Sequence, residues 1–478
     1  MIQFILNQSL VQLKTIQADT TLLDYLRLQA NLKGSKEGCA SGDCGACTVV
    51  IASPNQQGNS LEYKTLNSCI CLLGSLHGKQ VITVDGLKDK SGKLHPVQQA
   101  MVDHHASQCG FCTPGFVMSI FAMYKQKKGQ GLNQGLAFSH DDIINHLDGN
   151  LCRCTGYRPI IDAAHSVLKN ADSDNFDKYE NEEKKVLTCL NTIQKAQNNY
   201  FFIPQTINEL TDTIANHPTV KLLAGGTDLA LGITQGLQKL EKIVYLGNVA
   251  ELKALSINEN EVVIGSAVTY EGCAKALINE YPILETHLNR LGSLQIRNVA
   301  TIGGNIANAS PIGDMPPVLL ALNAQLTLQK GSKKRKVSMD DFYIGYKQTI
   351  LQAGEFIRDI HIPRSQANHY LTVYKITKRH ADDISAICSA FYLHVNKGKI
   401  VAVRITFGGM AATVIRAFEC EKVMINQPLN DLTLESAKVA ILKDINPLSD
   451  VRSSREYRLK MAENTLQRLF LEQRHHVV

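Results

Sequence analysis

The chain has 478 residues, 44% apolar and 20% charged; this is ordinary globular usage, which excludes a disordered or fibrous chain and leaves length for three or four domains. Lys and Arg exceed Asp and Glu by 50 − 44 = 6, too small an excess over this length to imply a nucleic-acid partner. No apolar run reaches the ~18–20 residues of a membrane span, and the N-terminal MIQFILNQSLVQLKTI lacks a basic leader with a small-residue cleavage site, so the expectation is a cytoplasmic chain with no membrane partner.

Alternation over Ile2 to Leu6, a turn at Asn7-Gln8 and a second run Val11 to Ile16 predict a hairpin. A helix follows, capped by Thr20 or Thr21 and stopped by Gly34, then a Gly/Cys loop leading into a strand from Thr48 to Ala52. These elements predict a β-rich domain over residues 1–78. From 79 to 166 the pattern is helical, with Pro96 at a first helical position, a helix over 115–128, and Ser139 opening a third. The polar, acidic stretch 170–186 holds almost no aliphatics, so 167–196 is expected to be a linker. Residues 197–368 alternate short strands and helices around two Gly-rich loops, an α+β pattern. The last segment, 369–478, carries strands near 370–376, 386–395 and 400–407, then helices. The basic run Lys333 to Lys336 is expected at a solvated hairpin tip.

Thirteen cysteines, eight of them in tight groups, favour metal binding over a disulfide framework. Cys39, Cys44 and Cys47, followed by Cys69, have the spacing of a plant-type [2Fe–2S] loop, whereas a zinc ribbon would pair two CxxC knuckles. Glycines 38, 42 and 45 let the backbone curl so that N–H groups point at the sulfurs. The second group is Cys109, Cys112, Cys152 and Cys154. Its CxC pair is too close along the chain for a zinc knuckle, and each half stands next to a helical stretch whose dipole would offset cluster charge. Residues 222–229 run strand, tight turn, helix start, exposing N–H groups suited to a pyrophosphate. A second loop with Thr301, Gly303, Gly304, Asn305 and Asp314 adds to it, and no G-x-G-x-x-G supports a Rossmann site. Cys71, Cys189, Cys273, Cys388 and Cys420 have no partners at ligand spacing and are expected to pack. His104, His105, His475 and His476 are expected at the surface. No nucleophile–base or carboxylate pair stands out, so no catalytic side chain is assigned.

QCGFCTPGFVMS (108–119) and GNLCRCTGYRPI (149–160) resemble the helical cluster domain of the molybdenum hydroxylase family, which includes xanthine dehydrogenases. EGCASGDCGACTVV (37–50) resembles that family's ferredoxin-like domain, and AGGTDL (224–229) with ATIGGNIANASPIGDMPP (300–317) resembles its flavin domain. The resemblance implies a multidomain α+β protein: a β-grasp ferredoxin-like domain, an α-helical [2Fe–2S] domain, a two-part FAD-binding domain and an α/β C-terminal flavoprotein domain. It carries the flavin contacts to Leu222, Leu223, Ala224, Gly225, Gly226, Thr227, Asp228, Leu229, Thr301, Ile302, Gly303, Gly304, Asn305, Asp314 and Ile357. It also selects Cys69 over Cys71 as a ligand, and Cys71, which leads into Leu72-Leu73, looks better suited to packing.

In the family these modules precede a larger molybdopterin portion, which this sequence lacks. The chain is therefore similar to the small subunit of a split bacterial xanthine dehydrogenase, with molybdopterin on a large partner subunit in a heterotetramer of two small and two large chains. Electrons from purine oxidation would leave through the Cys109/112/152/154 cluster, then the Cys39/44/47/69 cluster, to FAD and NAD. Gln108 and the Cys109 loop would face the partner's pterin. The stretch 378–385 resembles a segment near the flavin. Two alternatives share these motifs: a relay for a hydroxylase acting on aldehydes, carbon monoxide or N-heterocycles, and a stand-alone diaphorase.

Overall fold

The computed structural model describes residues 1–55, 57–128, 138–171, 178–193 and 198–474. It divides into two compact units, and the division does not follow the chain: the first holds Met1–Gln205, Thr219–Asn248 and Ser293–Val299, the second the remainder.

The first unit begins with a five-stranded sheet ordered Ser9–Leu13, Ile2–Leu6, Gln80–Ile82, Thr48–Pro54, Leu61–Asn67. Ile2–Leu6 pairs parallel to Gln80–Ile82 and the other pairings are antiparallel. Thr21 caps the helix that follows the hairpin by accepting from the Asp24 N–H. Its continuation, Tyr25–Gln29, is a π-helical turn, and Leu28 faces solvent. One face of the sheet packs on this helix and on a three-stranded parallel sheet ordered Phe201–Phe202, Ile243–Tyr245, Lys221–Leu223. A second core, around Phe116, Phe121 and Tyr124, gathers the helices Pro96–Asp103, Thr113–Lys127, His140–Leu147 and Arg158–Asn170. Capping boxes at His95 and Ser139 start two of them.

Part of the stretch expected to be a linker is helical. Lys178–Thr192 turns Tyr179, Val186 and Leu190 into the helical core, three apolar residues that a reading of its charge passes over. Residues 172–177 and 194–197 of that linker, and His475 and His476, lie outside the described residues.

The second unit holds an antiparallel sheet ordered Lys333–Ser338, Gln325–Lys330, Phe356–Pro363, Glu261–Gly265, Leu255–Ile257. The basic run is therefore not a hairpin tip. The turn is at Gly331, which holds a φ of +57°, and the run forms the edge strand itself. Charge on an exposed edge discourages further pairing, and Arg335 is engaged there by the Glu355 carboxylate at 2.8 Å. A second antiparallel sheet, His369–Ile376, Ile387–Asn396, Lys399–Gly408 and Ile415–Arg416, is covered by the helices Phe418–Met424, Asp431–Asp444 and Arg455–Arg474. The helix Met315–Ala321 is buried along its whole length, and Arg404 donates to its last-turn carbonyl at Leu320. Among the described residues no helix is long and apolar enough to cross a membrane.

Candidate metal and cofactor sites

Both cysteine groups assemble in the first unit. In the loop before Thr48–Pro54, the Ser41 and Cys44 N–H groups donate to Cys39 Sγ, each at 3.4 Å. The thiols of Cys44 and Cys69 also point at Cys39, and that shared bonding draws its pKa down; Cys69, enclosed between Cys39 and Cys47, is pushed up. The loop is glycine-dependent at stated points. A Cβ on Gly38 would meet Cys44 Sγ at 2.8 Å, and Gly42 and Gly45 hold φ of +85° and +68°. Cys47 and Cys69 are buried with Leu23, Ile70 and Ala230.

In the helical lobe, Cys109 Sγ lies 3.3 Å from Cys154 Sγ, both exposed. Cys112 stands immediately before Thr113–Lys127. Burial and the neighbouring Cys152 raise it to about 12. Burial works against the Cys152 thiolate, but the Thr155 and Cys154 N–H groups outweigh it and bring it to about 7. Only the first pair abuts a helix start directly. Cys152 and Cys154 precede Arg158–Asn170 by a turn in which the Cys152 N–H donates to the Tyr157 hydroxyl.

Each group offers thiolate donors with backbone N–H groups aimed at sulfur, which suits an anionic [2Fe–2S] cluster. Among the described residues no three His, Cys, Asp or Glu side chains converge on one metal-ion position. Cys71 stands apart, its Sγ 3.6 Å from Ser75 Oγ. Cys273, Cys388 and Cys420 are buried, and Cys189 packs against the helical core. His104 is half-buried and His105 exposed.

The flavin-loop residues fall in both units. In the first, Lys221–Leu223 leads through Gly226, with a φ of +80°, into Leu229–Thr234. A Cβ on Gly226 would meet Leu223 at 2.9 Å and lies 3.9 Å from the Ile70 carbonyl, beside the first cysteine group. Gln235, at the end of that helix, donates to the Cys39 and Ala40 carbonyls.

In the second unit Thr301 caps Ile302–Ala307, accepting from the Gly304 N–H at 3.0 Å. Gly303 lies so close to Ser266 that a Cβ would sit 2.6 Å from its carbonyl oxygen. Ser266 Oγ and Asn305 Oδ1 are buried there without a hydrogen-bond partner, polar atoms of the kind a ribityl or phosphate group would satisfy. Asp314 begins Met315–Ala321 and is held from elsewhere: Lys375 Nζ is 2.6 Å from one carboxylate oxygen and Ser385 Oγ donates to the other at 2.5 Å. Ile357 is buried in the sheet, paired with Leu328. Lys375 and Ser385 escape a reading of the sequence, although Ser385 closes the 378–385 stretch, whose Arg379 pairs with Asp383.

This combination of two four-cysteine lobes with Gly-rich dinucleotide loops defines an iron–sulfur flavoprotein. Four family models match in succession: a 2Fe-2S iron–sulfur cluster binding domain over 4–74, a [2Fe-2S] binding domain over 83–165, the FAD binding domain in molybdopterin dehydrogenase over 194–365, and the CO dehydrogenase flavoprotein C-terminal domain over 372–473. The chain belongs to the molybdenum hydroxylase family of oxidoreductases and is homologous to its N-terminal iron–sulfur and FAD part. It is 31% identical to xanthine dehydrogenase of Emericella nidulans, over 93% of this chain and 36% of that protein. With xanthine dehydrogenase/oxidase of Gallus gallus it shares 30% over 91% of this chain and 37% of that one. It thus spans a little over a third of these relatives' length. Among solved structures, CO dehydrogenase from Oligotropha carboxidovorans matches at a TM-score of 0.53 and 28% identity, over 57% of this chain and 96% of that chain. Quinoline 2-oxidoreductase from Pseudomonas putida 86 matches at 0.53 and 25%, over 59% and 99%.

Proposed function

We propose that this chain is the electron-transfer component of a xanthine dehydrogenase, working with a molybdopterin-bearing partner that oxidises hypoxanthine or xanthine and delivering the electrons to NAD. When bound, the [2Fe–2S] clusters supply one-electron transfer and FAD joins it to two-electron chemistry. The residues that would hold the clusters are Cys39, Cys44, Cys47 and Cys69, and Cys109, Cys112, Cys152 and Cys154. Around the first set, the Ser41 and Cys44 N–H groups offset negative charge while Leu23 and Ile70 keep water from Cys47 and Cys69. FAD would be held by residues 222–229, Thr301, Ile302, Gly303, Gly304, Asn305, Asp314 and Ile357. Lys375 and Ser385 fix the Asp314 carboxylate in one orientation, ready to accept a hydrogen bond.

The observation that carries the xanthine reading is collinearity. The xanthine dehydrogenases match over 93% and 91% of this chain, whereas the CO dehydrogenase chain is 96% covered by only 57% of it. The same solved chains support the second reading, a relay for carbon monoxide or an N-heterocycle. The cofactor-loaded chain should carry electrons from NADH to a dye and leave xanthine untouched. Combined with its molybdopterin partner, it should turn over hypoxanthine and xanthine faster than carbon monoxide, aldehydes or quinoline. Purine turnover by the chain alone, or preference for one of the other substrates, defeats the proposal.

A further inference from the structure

Between the two cysteine lobes of the first unit lies a short helix, Leu294–Arg297, that arrives from far along the chain. Gln295 is fully buried, and its Nε2 lies 3.0 Å from Asn150 Oδ1, 3.3 Å from Ser119 Oγ and 3.4 Å from Thr48 Oγ1. Ser119 Oγ also donates to Asn150 Oδ1 at 2.7 Å. Asn150 Nδ2 in turn donates to the Gly45 carbonyl at 3.1 Å, which the Thr48 hydroxyl reaches at 2.6 Å. The backbones touch here because three glycines allow it. A Cβ on Gly45 would sit 2.1 Å from the Gly149 carbonyl oxygen, and one on Gly115 would sit 2.1 Å from that of Gly45.

The network flanks a backbone–backbone hydrogen bond between the lobes. The Leu151 N–H donates to the Cys44 carbonyl at 3.0 Å, so one hydrogen bond and one peptide unit separate Cys44 of the first lobe from Cys152 of the second. Gln295 Oε1 is buried without a partner, so the hold comes from the Nε2 side, whose hydrogen bonds fix a direction that apolar contact does not.

We propose that Gln295 is a positioning residue for inter-cluster electron transfer: through Asn150 and Ser119 it holds the two lobes so that Cys44 C=O···H–N Leu151–Cys152 carries the electron. The step is one electron. The Cys109/112/152/154 centre is oxidised by one and the Cys39/44/47/69 centre reduced by one, with no bond broken and no proton moved on the peptide. The inference rests on the two-cluster reading above and goes beyond it in assigning the link and its support.

The test uses the full chain loaded with both clusters and FAD, mixed with substoichiometric dithionite and followed by rapid-freeze electron paramagnetic resonance. The exposed Cys109/Cys154 centre should be reduced first and the buried one should gain its signal from it. Gln295→Met should keep the iron and sulfide content and both signals, yet slow the second signal about tenfold, because rates fall steeply with small misplacements. Ser119→Ala trims one oxygen and should slow it in the same direction; it carries the test should Gln295→Met not fold. Asn298→Leu, which removes hydrogen bonds from the same segment to Thr65, should leave the rate unchanged. Equal slowing in Asn298→Leu, or unchanged rates in the Ser119 and Gln295 variants, overturns the proposal. A parent chain without two [2Fe–2S] signals overturns the two-cluster reading instead.

Discussion

In the ferredoxin-like lobe Cys47 and Cys69 are 2% and 3% exposed, whereas in the helical lobe Cys109 and Cys154 lie at the surface beside the exposed side chains of Phe111, Leu151 and Tyr157. Cys39 and Cys44 are half-buried and Cys152 is buried, so the first group is the more enclosed and only the second presents exposed cysteines. Enclosure raises the cost of added negative charge, and solvent exposure and N–H donors to sulfur both tune a cluster's potential. The open lobe is suited to exchange electrons with another molecule, the closed one with neighbours in its own chain.

The largest test of that contrast removes a proposed ligand from the closed lobe. Cys69→Ser should abolish or weaken one of two [2Fe–2S] signals under dithionite and leave the Cys109/112/152/154 signal intact. Cys71→Ser should cost only roughly 1–3 kcal/mol through a poorly partnered hydroxyl. Loss of a centre in Cys71→Ser, with both kept in Cys69→Ser, would mean the wrong sulfur was chosen.

A second test asks whether the closed lobe is also the tightly fitted one. Gly45 and Gly110 hold similar φ, +68° and +80°, but an added methyl meets the Gly149 carbonyl oxygen at 2.1 Å in the first case and nothing within 4 Å in the second. Gly110→Ala should therefore cost about 1–2 kcal/mol, the conformational price alone. Gly45→Ala should cost about 3 kcal/mol or more, since backbone must also move. Denaturant midpoints of the two variants decide it; equal losses would mean that the seam between the lobes is loose.

The two cysteine groups were legible in the sequence because their spacing is local; which of them is the more enclosed was not. Three cysteines in a short Gly-rich loop with a fourth just past a later strand, and a CxxC with a CxC, announce themselves without the fold. What stayed hidden is made by long-range closure. Lys375 and Ser385 reach Asp314 across 61 and 71 positions, and Gln295 meets Thr48 across 247. Charge also misled twice: at Lys178–Thr192, where three apolar side chains suffice to dock an otherwise polar helix, and at Lys333–Ser338, where a solvated run is still an edge strand.

The smallest expected effect concerns charge in the seam. Asp148 follows the helix His140–Leu147, and burial raises its pKa to about 6; Arg297 and the Gly149 and Leu294 N–H groups pull the other way without cancelling it. One carboxylate oxygen has no hydrogen-bond partner. Because the folded-state pKa lies above the unfolded value of about 3.9, the native state binds more protons between pH 4 and 6, so this group's contribution to stability falls as pH rises through that window. Above pH 6 the folded protein carries a half-buried, incompletely satisfied charge costing up to about 3 kcal/mol. Asp148→Asn keeps an oxygen for the two N–H groups and removes the charge. It should be more stable than the parent by about that amount at pH 7–8, with the advantage shrinking below pH 6 and gone near pH 4. Paired urea titrations of the loaded parent and variant across this range measure the difference directly. A difference that does not change with pH would mean that Arg297 fully compensates the carboxylate, and that the seam between the lobes tolerates charge as readily as the open surface.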